Sequence, residues 1–330
     1  METITIDDIF SIDTEEAFFD RVLRVFRYQY TYCDLYRQYV DATSSSVTSI
    51  NELSQIPFLP IEFFKNHRII SSKEKENIVF RSSGTSGMQR AEHYVANLAI
   101  YEQSFLRGFR YFVGQPEDYA ILALLPSYSE KGDSSLLYMM QCLMQKAKQP
   151  FSKFYLTNTD ELVDNLKQLA SIKQKTILWG VSYALLDFIE THQVYLPDLL
   201  VFETGGMKGR RKELLREELH LRLRNGFGVE KIYSEYGMTE LLSQAYTYGS
   251  QRFYCPPWMR VQIRDIYNPL RLLTQKGKSG GVNVIDLANL YSCSFIATQD
   301  IGKCYEDNSF EILGRYDNSD IRGCNLLVNE

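Results

Sequence analysis

The hexapeptide Ser82-Ser83-Gly84-Thr85-Ser86-Gly87 places two glycines among three serines and a threonine. Glycines let a backbone turn its N–H groups toward an anion, and the hydroxyls add donors that can wrap polyphosphate oxygens. The spacing is not that of a Walker loop, and short Gly/Ser runs also occur as plain surface loops. Tyr236-Gly237-Met238-Thr239-Glu240 offers a ring to stack on a base, a hydroxyl for a phosphate and a carboxylate for Mg²⁺. Alone, it reads more readily as a strand-to-helix turn with Glu240 in the first helical turn. Glu203-Thr204-Gly205-Gly206-Met207 would let a flat ligand approach backbone, or simply form a tight turn. The basic run Lys208 to Lys212 that follows could attract phosphate or be a solvated helix start. Thr298-Gln299-Asp300 and Gly314-Arg315-Tyr316-Asp317 supply an Asp for ribose hydroxyls and an Arg for ribose or phosphate, or ordinary turn chemistry. Gly323-Cys324 sets one thiol six residues from the end, a nucleophile if it is activated and an incidental cysteine if it is not. A weak competitor is Gly180-Val181-Ser182-Tyr183-Ala184, which mimics a nucleophile elbow with Asp198 and His220 downstream.

Positioning these groups requires elements, and the hydrophobic pattern predicts them. A helix is expected over 14–40, capped by Thr14, with Phe18, Val22, Phe26 and Tyr30 at helical spacing. IPFLPIEFF (56–64) should run extended between its prolines. From about 77 strands and helices alternate. Strands are expected at 77–81, 118–125, 176–179, 199–203 and 229–234, and helices within 94–114, around 134–148 and 160–171, and at 183–191 and 210–224. The continuous apolar run at 118–125 suits a strand buried on both faces. After about 245 short β-like runs take over at 260–266, 281–287, 294–298 and 309–313. The expectation is an α/β protein: a helical lead-in (1–75), a core of mostly parallel sheet flanked by helices (76–245) and a β-rich subdomain with a C-terminal tail (246–330).

Composition narrows the class. The chain has 330 residues, 45% of them hydrophobic, and a formal charge of −5, an ordinary globular composition. A mildly acidic chain is a poor candidate for unspecific nucleic-acid binding. The N-terminus lacks a signal-peptide pattern and the longest apolar run is too short to span a membrane, so a cytoplasmic protein is expected. The six cysteines form no C-x-x-C pair, which leaves no indication of a zinc knuckle or dithiol site.

In order, SSGTSG, ETGGM, YGMTE, TQD and GRYD resemble the core motifs of the adenylate-forming superfamily, from about residue 56 onward. IPFLPIEFFK, SSGTSG and the terminal RGC make the chain most similar to the acyl-protein synthetase (LuxE) family within it. The resemblance implies an adenylate-forming N-terminal-type core that activates a fatty acid with ATP and Mg²⁺. It further implies transfer of the acyl group to Cys324, the position matching the family's acyl-accepting cysteine, and delivery to an acyl reductase. By the same resemblance, Ser83, Thr85 and Gly87 would contact phosphates, with Ser82, Gly84 and Ser86 in the same loop, and Gly205-Gly206 would line the adenine pocket. Tyr236 and Gly237 would lie near the base, Thr239 at the α-phosphate, Glu240 on Mg²⁺, Asp300 on the ribose and Arg315 on ribose or phosphate. The superfamily's lid, with its catalytic lysine, has no counterpart in the fifteen residues after Arg315, so Lys208 is the nearest substitute by sequence. An acyl-CoA or aryl-acid-CoA ligase, or a non-catalytic nucleotide-binding subunit, would carry many of the same motifs.

Overall fold

The structure, a computed structural model, describes residues 4–44, 47, 50–73, 75–83, 89–125, 132–155, 158–205, 211 and 214–316. Within 4–44 there are three helices, α1 (Ile6–Phe10), α2 (Glu15–Tyr32) and α3 (Asp34–Thr43). Thr14 caps α2 as expected, its Oγ1 accepting the Ala17 N–H at 3.1 Å. The single helix expected over 14–40 is two. Cys33 adopts an extended backbone between them, a break invisible to periodicity because Tyr36 and Val40 stay in phase with Val22 and Phe26. The bend lays Tyr36 against Phe26 and Phe295, and its hydroxyl donates to the Pro57 carbonyl at 2.8 Å.

The extended stretch Leu59–Pro60 is β1, and α4 (Phe63–Asn66) follows it. A two-stranded antiparallel ribbon, β2 (Ile78–Arg81) and β3 (Glu92–Val95), brackets the Ser/Gly loop. Only β2 was expected; β3 alternates buried and half-buried residues over four positions, too short a signal beside the helix that follows. Then come α5 (Leu98–Phe112), β4 (Ala120–Leu124), α6 (Ser135–Ala147), α7 (Thr159–Ser171), β5 (Thr176–Val181), α8 (Ser182–Thr191), β6 (Leu200–Thr204), α9 (Arg216–Phe227) and β7 (Ile232–Tyr236). Strands β4 to β7 are parallel neighbours. Every residue of β4 and β5 is buried, which explains their unbroken apolar sequence. Trp179 on β5 stacks on Phe202 of β6, ring centroids 4.7 Å apart. The helix expected over 210–224 is α9, beginning later and closing at Gly228 in the left-handed conformation.

After β7 the chain reverses. Strands β8 (Ala245–Thr247), β9 (Phe253–Tyr254), β10 (Met259–Arg264), β11 (Ser279–Asp286), β12 (Phe295–Cys304) and β13 (Phe310–Arg315) are joined antiparallel. The change of texture near 245 is thus a change of strand direction, and hydrogen bonding continues across it. One eleven-stranded sheet runs in the order β10-β11-β12-β13-β9-β8-β7-β6-β5-β4, with β1 parallel to β12. Two boundaries differ in a way that matters for the site. Tyr236 is the last residue of its strand, not a residue beyond it. Thr298-Gln299-Asp300 lies inside β12, not at a strand end.

The buried Gln29 on α2 ties this N-terminal helix to the turn between β11 and β12. Its Nε2 donates to the carbonyls of Asn289 (2.9 Å) and Leu290 (3.0 Å), and its Oε1 accepts the Ser294 N–H at 2.9 Å. Gln29→Leu would leave the buried Ser294 N–H unpaired and take a donor from the Asn289 and Leu290 carbonyls. Urea unfolding should show a loss of about 2–4 kcal/mol; a change below about 0.5 kcal/mol would mean the turn does not depend on α2.

Candidate active site

Strand pairing brings two of the weaker motifs together. Asp300 on β12 and Arg315 on β13 are direct cross-strand partners, with Nε of Arg315 4.0 Å from the Asp300 carboxylate. Tyr236, at the end of β7, donates its hydroxyl to Asp300 Oδ2 at 2.7 Å. Its ring packs against Phe253 and the edge of Phe310. Burial raises the Asp300 pKa, against the pull of the Tyr236 hydrogen bond and of the Arg315 and Arg264 charges. Arg315 is largely exposed, so its guanidinium is free to meet an anionic ligand.

Glu240 belongs to the same cluster. It is 8% exposed, and burial pushes its carboxyl up to about 7, with Arg315 and Lys65 pulling the other way. Among the described residues no cation lies within ion-pair distance of it. Gly237 sits where a Cβ would fall 2.3 Å from the Glu235 carboxylate, so a side chain there would push the turn away. Glu235 in turn accepts the Thr204 hydroxyl, linking the ends of β6 and β7. Gly205, just beyond β6, has φ +76°.

The turn that carries Thr239 and Glu240 is gripped from behind by side chains that sequence reading did not single out. His93 Nδ1 bonds the Thr239 carbonyl at 2.8 Å, and Asn289 Nδ2 donates to the Glu240 carbonyl at 2.8 Å. Asp286 accepts the N–H groups of Leu242 (2.9 Å) and Ser243 (2.8 Å) and the Ser243 hydroxyl (2.6 Å). Burial raises Asp286 to about 6 against these bonds. Arg264, 4% exposed, has no carboxylate within ion-pair distance among the described residues. It donates to the Val282 carbonyl (2.6 Å), the Thr298 carbonyl and the Tyr316 hydroxyl (2.6 Å), bracing β11 and β12 beside Asp300. His93, Asp286 and Arg264 lie on strands and Asn289 in the turn after β11, in sequence that does not name their partners.

Ser82 closes the neck of the Ser/Gly loop. Its N–H donates to the Ala91 carbonyl and its hydroxyl accepts the Ala91 N–H. Arg90 donates to the carbonyls of Ser82 and Arg81 and to Asp133. Ser83 is exposed. Gly84, Thr85, Ser86, Gly87, Gly206, Lys208 and Cys324 lie outside the described residues.

The hydrolase competitor is removed. Ser182 is fully buried and donates to Glu203, while His220 Nε2 faces Glu203 and Ser234 rather than Ser182. Asp198 is exposed. Burial alone would raise Glu203, but the bond to His220 and the Arg216 charge hold it down at about 2, a structural ion cluster.

The family model for acyl-protein synthetase, LuxE, matches residues 8–330. The chain belongs to this family. Over 94 residues it is 37% identical to a long-chain-fatty-acid–luciferin-component ligase of Photorhabdus luminescens, a match covering 26% of this chain and 80% of that protein. Among solved structures, 2-hydroxyisobutyryl-CoA ligase aligns with a TM-score of 0.69 at 15% identity, over 92% of this chain and 68% of that one. ATP-bound MatB from Rhodopseudomonas palustris aligns with a TM-score of 0.53 at 18% identity, over 72% of this chain and 47% of that one. The chain thus spans about half the length of MatB. At such identities the likeness is one of fold alone. No helix among the described residues is long and apolar enough to cross a membrane.

Between about pH 4.5 and 7 the folded LuxE chain holds a proton on Glu240 that the unfolded chain has released, so this group lowers stability as pH rises. Glu240→Gln should therefore match wild type near about pH 4 and exceed it by on the order of 3 kcal/mol near about pH 8 in denaturant titrations. An unchanged difference across that range would show that the carboxylate is not buried as described.

Proposed function

We propose that this LuxE-family ligase activates a fatty acid with ATP to acyl-AMP, moves the acyl group to its own Cys324, and delivers it to an acyl reductase. The observation that carries the reading is the convergence of Tyr236, Glu240, Asp300 and Arg315 from three separate motifs. The family match and the fatty-acid ligase relative support the substrate class.

In this reading Asp300 takes the ribose hydroxyls, and the Tyr236 hydroxyl holds it in register. Arg315, exposed beside it, meets ribose or phosphate. Thr239 faces the α-phosphate, and Tyr236 and Gly205-Gly206 border the base. Ser83, Thr85 and Gly87 meet the β- and γ-phosphates, with Lys208 the candidate cation at the α-phosphate. A buried carboxylate with no cation at ion-pair distance among the described residues fits a Mg²⁺ ligand, since Mg²⁺ is commonly held by one or two carboxylates plus substrate phosphates. Glu240 would hold it, and the bound ion would supply neutralisation of charge on the phosphates.

A carboxylate oxygen of the fatty acid attacks the α-phosphorus in line. The bond to the bridging oxygen breaks and pyrophosphate leaves with the electron pair. Catalysis here is mostly positioning and electrostatic stabilisation. The Cys324 thiolate, its proton lost to solvent, then attacks the acyl carbon. A C–S bond forms, the C–O bond to the phosphate breaks, and AMP leaves.

Cys324→Ser should leave fatty-acid-dependent ATP–pyrophosphate exchange intact and abolish hydroxylamine-sensitive labelling of the protein by radioactive fatty acid and ATP. Glu240→Gln should slow the exchange by about a hundredfold or more. Thioester labelling that persists in Cys324→Ser, or that requires added CoA in wild type, would replace this reading with a CoA ligase.

A further inference from the structure

The adenylation reading uses no histidine, yet one is fully buried behind its central turn. His93 lies on β3, the strand that leads out of the Ser/Gly loop, and is 0% exposed. Both ring nitrogens are engaged. Nδ1 is 2.8 Å from the Thr239 carbonyl and Nε2 is 2.8 Å from Ser292 Oγ. A carbonyl only accepts, so Nδ1 carries the proton and Nε2 receives the Ser292 hydroxyl. The Phe64 ring meets the imidazole edge-on, 5.5 Å away between centroids. Burial drops the His93 pKa to about 4, so the ring is neutral under ordinary conditions.

The placement is specific. β3 pairs residue by residue with β2, and the loop neck at Ser82 and Ala91 is one further step along the ribbon. The other end of the His93 contact is the main chain between Thr239 and Glu240. Ser292 belongs to the turn whose Asn289 holds the next carbonyl, that of Glu240. One imidazole therefore spans three elements: the ribbon bearing the loop, the Thr239–Glu240 turn and the β11–β12 turn.

We propose that His93 is a positioning residue for adenylation, keying the ribbon that carries the Ser/Gly loop to the turn that carries Thr239 and Glu240. This rests on the adenylation reading above. A half-ångström change in the relation of these two elements would misalign phosphate and carboxylate in an in-line displacement, lowering kcat more than affinity.

Side-chain isosteres separate the two bonds. Asn places its amide where Nδ1 lies and can keep the donor to Thr239; Gln places its amide near Nε2 and cannot. His93→Gln should lower kcat for pyrophosphate exchange with a long-chain fatty acid by about tenfold or more, the equivalent of one lost hydrogen bond, with little change in the KM for ATP. His93→Asn should recover to within about threefold of wild type. Amide hydrogen exchange of the 237–243 segment should rise in His93→Gln and stay near wild type in His93→Asn. Equal loss of kcat in both variants, or equal exchange in both, would overturn the role. If wild type itself catalyses no pyrophosphate exchange, the adenylation reading fails. The amide-exchange comparison then still decides whether His93 holds the turn: a rise confined to His93→Gln supports the bridge, and no difference removes it.

Discussion

The turn between β11 and β12 is the constraint on which the rest of the structure depends. Residues 286–294 leave a long buried strand and enter another, so their backbone groups cannot reach water and must find partners inside. Four distant parts of the chain bond this turn. Gln29 and Ser71 meet its main chain, His93 reaches the Ser292 hydroxyl, and the Leu242 N–H bonds the side chains of Asp286 and Asn289. All these bonds are made only when the N-terminal helices, the loop ribbon and the Thr239–Glu240 turn are seated. Hydrogen-bond satisfaction here is also the assembly of the site.

Electrostatics follow the same logic. The interior around Glu240, Asp286 and Asp300 disfavours carboxylate charge, and all three are raised by burial. Asp286 is compensated by main-chain donors and Asp300 by Tyr236. Glu240 keeps its deficit, which makes it the place where a bound cation gains most. Glu203, only a few residues from the same strand ends, goes the opposite way because His220 and Arg216 stand beside it. The contrast separates a structural carboxylate from one suited to a ligand.

Much of the fold was legible because apolar runs and helical spacing report burial directly. The parallel strands and most helices fall where the pattern puts them. The break at Cys33 was hidden because both helices keep one phase. The strand β3 was hidden because four residues beside a strong helix carry little pattern. For the site, residue types were readable but pairing was not. Asp300 and Arg315 looked like separate turn motifs until register set them opposite one another. His93, Asn289 and Arg264 could not be assigned a role, since a polar residue in a strand or turn does not say what it will meet across the fold.

The bonds that close the site are long in sequence. Gln29 meets Asn289 across 260 positions and His93 meets Ser292 across 199. Contacts of such separation form late and slowly, because the loop must close before the contact rewards it. On the ribosome, the loop ribbon and the parallel strands emerge long before the turn that keys them to Glu240. A nascent chain short of that turn carries SSGTSG, ETGGM and YGMTE without the side chains that hold the last of these in place. Vectorial synthesis thus separates the making of these motifs from their alignment. It also leaves the apolar flanks of β4 to β7 waiting for their last partners, which makes this interval the one in which chaperone contact matters most.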